Sequence, residues 1–173
     1  LQMTRKIIDV GGGSGAFAFA MLRKNAAIKA TIFDLPNIIP LTKKYIQTSG
    51  FSDHVDTVTG DYLADDIGNG FDLVFMSAIV HINSPEENLL LIRKGTEALN
   101  PGGQLVVLDH IMNDDRTEPA VGAYFALNML VGTLHGDTYT ENEIRSWMRD
   151  AGLVEVELKV TPSGNQLMVG KKA

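Results

Sequence analysis

The sequence predicts an α/β fold, a doubly wound and mostly parallel sheet with one antiparallel strand, and three observations lead to this prediction. Short apolar runs alternate with helix-forming segments along most of the chain. A glycine-rich turn, Gly11–Gly15, joins the first apolar run to the first helix. Two apolar runs near the end, residues 153–160 and 165–170, are separated by a linker short enough for a hairpin. With 173 residues, 45% of them hydrophobic, residues 1–173 are predicted to form one domain.

The first element is a strand followed by a glycine turn and a helix. Residues 6–10 form an apolar run that is β-branched at three of its five positions, which is typical of a buried parallel strand. The glycines that follow leave the backbone bare, and residues 16–22 are apolar and helix-forming. Bare backbone at a helix N-terminus lets a ligand approach closely, so this unit predicts a nucleotide-binding loop.

Two ligands compete for this loop. The pattern Gly11-x-Gly13-x-x-Ala16 fits a loose dinucleotide motif, in which the helix N-terminus holds a pyrophosphate. S-adenosylmethionine has no phosphate; it needs steric clearance, and carboxylates for its ammonium and ribose. Asp9 favours this second ligand, because a carboxylate repels a pyrophosphate and attracts an ammonium. A glycine turn without a ligand is the third and less favoured interpretation.

The middle of the chain continues the alternation of strands and helices. Pro36 is predicted to open a helix that ends at Gly50. The next helix begins at Ser84, with serine as N-cap, proline after it and glutamate in the first turn, and runs to Leu99. Residues 100–103, Asn-Pro-Gly-Gly, are predicted to form a turn. Four further strands of the sheet are predicted at residues 29–34, 55–60, 71–76 and 104–109.

The last third of the chain departs from this pattern. A long, largely apolar helix is predicted over residues 118–133. Another begins at Thr140, where Thr-Glu-Asn-Glu resembles a capping box, and closes at Gly152. The two final strands flank Pro162-Ser163-Gly164 and are predicted to form the hairpin.

Aspartates follow several of the predicted strands. Asp34 ends the second strand, Asp61 follows the third and Asp109 ends the fifth. Ligands of open α/β sheets lie outside the carboxyl ends of the strands, so these side chains are candidates for ligand contact. Asp34 would bind the ribose hydroxyls, and Asp61 would lie near the adenine amino group, with Tyr62 as an aromatic surface. Taken singly, Asp34 and Asp61 are equally compatible with a turn or helix-capping role.

Six spaced motifs occur in order along the chain: Ile7–Gly15, Phe33-Asp34-Leu35-Pro36, Gly60-Asp61-Tyr62, Val80-His81, Asn100-Pro101-Gly102-Gly103 and Thr140-Glu141-x-Glu143. This series resembles the class I S-adenosylmethionine-dependent O-methyltransferases of the caffeate, hydroxyindole and bacterial polyketide type. The resemblance implies a Rossmann-like seven-stranded sheet in the order 3-2-1-4-5-7-6 with the last strand antiparallel. It also implies that Asp34 and Asp61 hold the ribose and the adenine of S-adenosylmethionine. The candidate cofactor-binding residues are Asp9, Gly11, Gly13, Gly15, Asp34, Leu35, Asp61, Tyr62 and Ser77.

His81 is the candidate general base. It lies just past the fourth strand, at the ligand end of the sheet, although a lone histidine there is commonly just a loop residue. The resemblance implies that it removes a proton from a hydroxyl, whose oxygen then attacks the methyl group without a metal or a covalent enzyme intermediate. It also implies that Asp109 orients this histidine. The other histidines, His54, His110 and His135, show no such placement in the sequence.

Two of the departures from the family pattern bear on the orientation of the base and on the domain organisation. The second orienting carboxylate of the family falls at Thr138, so Asp137 or Glu141 would have to replace it. The N-terminal dimerisation domain of the family has no counterpart, so residues 1–173 are predicted to be a catalytic domain. The apolar helix around residues 125–130 would then line the acceptor site and leave an apolar face for a homodimer, unless it is simply a core helix.

Composition limits the partners. The net charge of −6 and the pI of about 5.1 argue against a nucleic-acid partner, and the absence of cysteine rules out thiol chemistry. No apolar run has the length of a membrane span, and residues 1–5 lack a signal-peptide core, so a cytoplasmic protein with a small hydroxyl acceptor is expected. Two alternatives stay open, a nicotinamide-dependent oxidoreductase and a cofactor-binding domain that does not catalyse alone.

Overall fold

The computed structural model describes residues 4–173, and its centre is a seven-stranded sheet. The strands are β1 (Lys6–Val10), β2 (Lys29–Asp34), β3 (Val55–Thr59), β4 (Phe71–Ser77), β5 (Leu99–Leu108), β6 (Leu153–Val160) and β7 (Gln166–Lys172). Their order is β3-β2-β1-β4-β5-β7-β6, with β1–β5 paired in parallel and β7 antiparallel to both of its neighbours. The predicted order and the predicted hairpin are therefore confirmed. Residues 1–3, part of the segment judged to lack a signal peptide, lie outside the described residues.

Five helices accompany the sheet: α1 (Ala16–Lys24), α2 (Ile39–Ser49), α3 (Pro85–Ala98), α4 (Ala120–Gly132) and α5 (Glu141–Asp150). The capping box predicted at Thr140 is confirmed, and the N-cap predicted at Ser84 is also part of a capping box. In each, the hydroxyl of the N-cap residue accepts from the backbone N–H of the glutamate three residues later, and the carboxylate of that glutamate accepts from the N-cap backbone N–H. No helix within residues 4–173 combines the length and the apolarity that a bilayer crossing demands.

Two apolar layers enclose the sheet, because successive strand residues point to opposite faces. Ile7 packs with residues of α1 and α2, whereas its neighbour Ile8 packs with residues of α3 and α5. All residues of β1 after Lys6 are buried. This double burial is what a central strand of a parallel sheet requires, and it places the glycine turn after β1 at the middle of the sheet's carboxyl edge.

Two predicted boundaries are wrong by three residues or more. Helix α2 begins at Ile39, not at Pro36, because Leu35–Ile38 form a turn in which the Ile38 N–H donates to the Leu35 carbonyl at 2.9 Å. Residues 100–103 do not form a turn before β5 but a bulge within it, because Phe71 pairs with Leu99 while Leu73 pairs with Gln104.

A separate excursion covers residues 109–140, between β5 and α5. It contains α4 and a small parallel pair formed by Ile111–Met112 and Tyr139–Thr140. Gly122 is the only residue of α4 that is fully buried, and it lies against Met112, whose sulfur leaves no space for a Cβ atom. Helix α4 therefore lies outside the two core layers, whereas Ile111 and Tyr139 of the short parallel pair belong to the layer that contains α3 and α5.

Candidate active site

The glycine turn is fastened to the end of the neighbouring strand β2. The Gly11 N–H donates to the Phe33 carbonyl at 2.8 Å, and the Gly13 N–H donates to Asp34 Oδ2 at 2.7 Å. Gly11 and Gly13 have φ values of +67° and +54°, a region that side chains other than glycine rarely adopt. A Cβ atom on Gly13 would meet nothing within 4 Å, so the backbone here borders open space.

Asp9 lies beneath this turn and is 1% exposed. Neither of its carboxylate oxygens has a hydrogen-bond partner among the described residues. Burial raises the pKa of Asp9 to about 7; the Ala18 N–H, near but outside hydrogen-bonding geometry, lowers it, and the charge of Asp34 raises it further. A buried acceptor without a partner is costly, so the position is suited to a ligand that brings a positive charge or a donor.

The other candidate cofactor residues follow the predicted strand ends. Asp34 Oδ1 also accepts from the Leu35 N–H at 2.8 Å, and each of its oxygens keeps a lone pair for a ligand. Asp61 Oδ1 accepts from the Leu63 N–H at 2.9 Å, the turn bond that the sequence left open as an alternative, and its second oxygen remains available. Ser77 ends β4 opposite Leu108.

A buried chain of polar side chains connects Tyr62 to the turn that carries His81. The Tyr62 hydroxyl donates to Asn83 Oδ1 at 3.0 Å, Asn83 Nδ2 donates to Asn88 Oδ1 at 3.2 Å, and Asn88 Nδ2 donates to the Val80 carbonyl at 2.9 Å. Burial raises the pKa of Tyr62, and the bond to Asn83 opposes this rise. Val80 and Asn83, on either side of His81 in the chain, are thus fixed by hydrogen bonds with Asn88 and Tyr62.

His81 and Asp109 form the closest pair of titratable side chains at the carboxyl edge. His81 Nδ1 lies 2.8 Å from Asp109 Oδ1, and the two side chains are 13% and 4% exposed. Asp109 Oδ2 accepts from the backbone N–H groups of Val80 and His81 at 3.1 and 3.3 Å. Because an ionised carboxylate only accepts, Nδ1 carries the proton and Nε2 is left as an acceptor in the neutral ring.

Next to this pair is a cavity of about 460 Å³ that His81, His110 and Phe125 line. Phe125 lies edge-on to the His81 ring, with centroids 4.9 Å apart, and 4.4 Å from the His110 ring. The sequence expectation that residues 125–130 border an acceptor site is compatible with the position of Phe125. The expectation that His110 has no special placement is wrong, because His110 lines the same cavity as His81 and its ring also contacts Phe125.

Thr138 and its charged neighbours are placed away from the His81 ring. Asp137 accepts from Arg116 Nη1 at 2.8 Å, and Glu141 pairs with Arg145. Arg116 also donates to both oxygens of Glu143, at 2.8 and 3.0 Å. Neither Asp137 nor Glu141 has a hydrogen bond to the His81 side chain within residues 4–173, so Asp109 is the carboxylate that orients it.

Sequence reasoning missed the polar residues that support the His81 turn, namely Asn83, Asn88 and Tyr139. The Tyr139 hydroxyl donates to the Asn83 carbonyl at 2.5 Å, and burial raises the pKa of Tyr139 to about 12. Asn88 offered a signal, since it lies on the same helical face as Leu91 and Ile92, where an apolar residue is expected. A polar residue at such a position needs a buried partner.

Comparison with known proteins identifies the family. Residues 1–154 match the O-methyltransferase domain family. A curated relative, 3-hydroxy-5-methyl-1-naphthoate 3-O-methyltransferase of Streptomyces sahachiroi, is 34% identical over 175 residues, which covers 100% of this chain and 50% of the relative. The chain therefore spans about half the length of the relatives that it matches.

Solved structures agree with this result. An O-methyltransferase family 2 protein from Planctomyces limnophilus, in complex with apigenin, superposes with a TM-score of 0.91 at 28% identity, covering 100% of this chain and 52% of that one. PigF, an S-adenosyl-L-methionine-dependent methyltransferase of a Serratia species solved with SAH, superposes with a TM-score of 0.93 at 26% identity, covering 99% and 52%.

Proposed function

The chain belongs to the O-methyltransferase domain family, and from this premise we propose that it transfers a methyl group from S-adenosylmethionine to a hydroxyl of a small aromatic molecule, with His81 as general base. The observation that carries the proposal is the bond between His81 Nδ1 and Asp109 Oδ1, beside an apolar cavity. The relatives named above act on a hydroxynaphthoate or bind apigenin, and both of these molecules are hydroxylated aromatics.

The residues at the carboxyl edge fit the cofactor. The carboxylate of Asp9, buried without a hydrogen-bond partner, favours a nearby ammonium, and the bare backbone at Gly13 gives clearance. Asp34 and Asp61 have free lone pairs for ribose hydroxyls and an adenine amino group. Leu35 and Tyr62 would border the adenosine, and Gly11, Gly15 and Ser77 would shape the loop and strand end beside it. When bound, S-adenosylmethionine supplies a methyl group on a sulfonium centre that is open to displacement.

The chain's own residues provide the proton transfer. His81 Nε2, the unprotonated ring nitrogen, accepts the proton of the acceptor hydroxyl as the O–C bond forms, and the imidazolium that results is stabilised by Asp109. Phe125 packs edge-on against the imidazole and excludes water on that side. The backbone N–H groups of Val80 and His81 donate to Asp109, and these bonds keep the His81 and Asp109 side chains in a fixed relative position.

A second copy of the chain is the proposed protein partner. Helix α4 exposes large apolar side chains, among them Tyr124, Leu130 and Val131 at 73%, 75% and 87%. An exposed apolar surface of this kind is typical of an interaction face, so we propose that it mediates self-association. No nucleic acid or membrane is expected to take part, and a cytoplasmic location remains part of this proposal.

The proposed function is tested with His81→Ala and its orienting partner Asp109→Asn. His81→Ala should lower the methyl-transfer rate to naphthol about 10²- to 10⁴-fold, the usual contribution of a general base. Asp109→Asn should lower it less, since the imidazole remains but is held less firmly. S-adenosylhomocysteine affinity, measured by calorimetry, should stay within about threefold of the parent value in both variants, because neither residue is proposed to bind the cofactor.

His54→Ala is the matched control, because His54 bonds the Ile28 carbonyl far from the cavity. Its rate should equal that of the parent protein. Binding of NAD in preference to S-adenosylhomocysteine would contradict the cofactor assignment. An unchanged rate in His81→Ala would show that His81 is an ordinary loop residue.

A further inference from the structure

His110 is held next to the proposed base by a shared carboxylate oxygen. Its backbone N–H donates to Asp109 Oδ1 at 2.8 Å, the same atom that accepts from His81 Nδ1 at 2.8 Å. The His110 ring lies 4.4 Å from the Phe125 ring, at an interplanar angle of 39°. The two imidazoles therefore border one cavity, and both of them contact Phe125.

The His110 ring packs against Phe125, but its polar atoms bind no other part of the described chain. Within residues 4–173 its two ring nitrogens make no hydrogen bond, although the residue is only partly exposed. Gln166, on β7 and also in the lining of the cavity, likewise has a side-chain amide without a partner among the described residues. Half-buried donors and acceptors that lack protein partners are ordinarily satisfied by water or by a ligand.

The charges around the cavity limit what that ligand can be. Asp109 is the only ionised side chain among the described residues that line it, and no lysine or arginine does so. A carboxylate on the ligand would face this negative charge without a permanent cation to balance it. A hydroxyl or carbonyl oxygen can instead bond with a neutral imidazole, which both donates and accepts.

We propose that His110 is a specificity-determining residue that binds a second, neutral oxygen substituent of the aromatic acceptor. This inference rests on the proposed function, since the first oxygen is the hydroxyl that His81 deprotonates. The acceptor class is then an aromatic ring system with two oxygens, one within reach of each histidine. His81 is the base of the two histidines because its side chain has a carboxylate partner, whereas the His110 side chain has none.

The experiment compares acceptors with one and two oxygens. Dissociation constants of naphthol and of a set of dihydroxynaphthalene isomers are measured by titration in the presence of S-adenosylhomocysteine, so that no turnover is needed. The parent protein should bind at least one dihydroxynaphthalene about tenfold more tightly than naphthol, the effect of one well-made hydrogen bond. His110→Phe, which keeps a ring against Phe125, should remove this preference and leave naphthol binding nearly unchanged. His110→Gln should restore part of it.

His135→Phe is the control, because His135 is exposed, pairs with Glu87 at 3.5 Å and does not line the cavity. It should keep the preference. The proposal is overturned if no isomer is preferred, or if His110→Phe weakens both classes of acceptor equally, which would indicate packing alone. Tighter binding of hydroxynaphthoate than of every dihydroxynaphthalene would overturn the neutral-oxygen assignment. If the preference is seen but no methyl group is transferred, the proposed function fails and the role of His110 in recognition stands.

Discussion

Two aspartates at the carboxyl edge of the sheet have opposite surroundings. Asp109 accepts four hydrogen bonds, from the His81 ring and from three backbone N–H groups, whereas Asp9 accepts none from residues 4–173. Asp109 is therefore fixed in place in the absence of any ligand, and it fixes His81 with it. The buried carboxylate of Asp9 lacks a hydrogen-bond donor or a cation among these described residues, so a ligand that supplies one would stabilise it.

Asp9 should make the stability of the ligand-free protein depend on pH. Its folded-state pKa of about 7 lies above the ordinary value of 3.8, so the folded state retains a proton that the unfolded state has lost between those pH values. The free energy of unfolding should therefore fall as pH rises from about 4 to 7, by at most about 1.4 kcal/mol per pH unit. Denaturant unfolding of the parent protein and of Asp9→Asn over this range measures the difference in slope.

Asp9→Asn should lack this part of the slope, while other groups titrate equally in both proteins. Saturating S-adenosylhomocysteine should reduce the slope of the parent protein, because an ammonium near Asp9 favours the ionised carboxylate. Identical slopes in the two ligand-free proteins would contradict the raised pKa of Asp9.

At the scale of elements, the segment between α4 and α5 contacts the turn that carries His81. The Asp137 N–H donates to the His81 carbonyl at 3.1 Å. A Cβ atom on Gly136 would come within 2.4 Å of that same carbonyl oxygen. The turn is thus fixed at two carbonyl groups, that of Val80 by the buried Asn88 side chain and that of His81 by Asp137 of this segment.

Gly136→Ala should therefore displace the His81 turn. The added methyl group cannot fit beside the carbonyl, so we expect the methyl-transfer rate to fall about 10- to 100-fold, as misplacement of a catalytic group by about 1 Å can do. S-adenosylhomocysteine affinity should change little, since Asp9, Asp34 and Asp61 belong to or follow β1, β2 and β3, whereas the His81 turn follows β4. Gly132→Ala is the control, because nothing lies within 4 Å of its Cβ position at the end of α4. Equal rates in the two variants would show that the turn does not depend on this contact.

The elements that could be predicted from the sequence are those with local causes. The capping boxes at Ser84 and Thr140 satisfy helix N–H groups with side chains only three residues apart, and the terminal hairpin depends on a short linker. The start of α2 could not be predicted from Pro36, because Asp34 takes the Leu35 N–H and the chain makes a turn first. The bulge at residues 100–103 depends on which residues of β4 pair with β5.

At the scale of the whole molecule, some parts of the candidate site follow from local sequence, and others depend on contacts between distant elements. Parallel strands bring their carboxyl ends to one edge, so Asp34, Asp61 and His81 could be assigned to a site from strand positions alone. His110 could not be assigned to the site in this way, because its proposed role depends on the contact between its ring and Phe125. Phe125 is on α4, and the position of α4 depends on the path of the long segment between β5 and α5. Of the polar partners of the His81 turn, Tyr62 and Tyr139 likewise come from distant elements, whereas Asn88 is only eight residues from Val80.

Helix α4 provides the prediction that concerns the molecule as a whole. A helix that is apolar on all sides is ordinarily buried, and nearly every residue from Ala120 to Gly132 is apolar, yet only Gly122 is buried. If a second copy covers this surface, the mass measured by sedimentation velocity should rise with protein concentration. The double variant Leu130→Gln/Val131→Gln should remain monomeric, because it replaces two of the most exposed apolar side chains.

Leu90→Gln serves as the control, since Leu90 is 43% exposed on α3, outside this surface. It should associate as the parent protein does, because one partly exposed leucine on a helix packed against the sheet leaves no comparable area uncovered. A parent protein that stays monomeric at every concentration would contradict self-association through α4. So would a double variant that associates as strongly as the parent, since its polar amides would have to be desolvated in the contact at a cost of about 1–3 kcal/mol each.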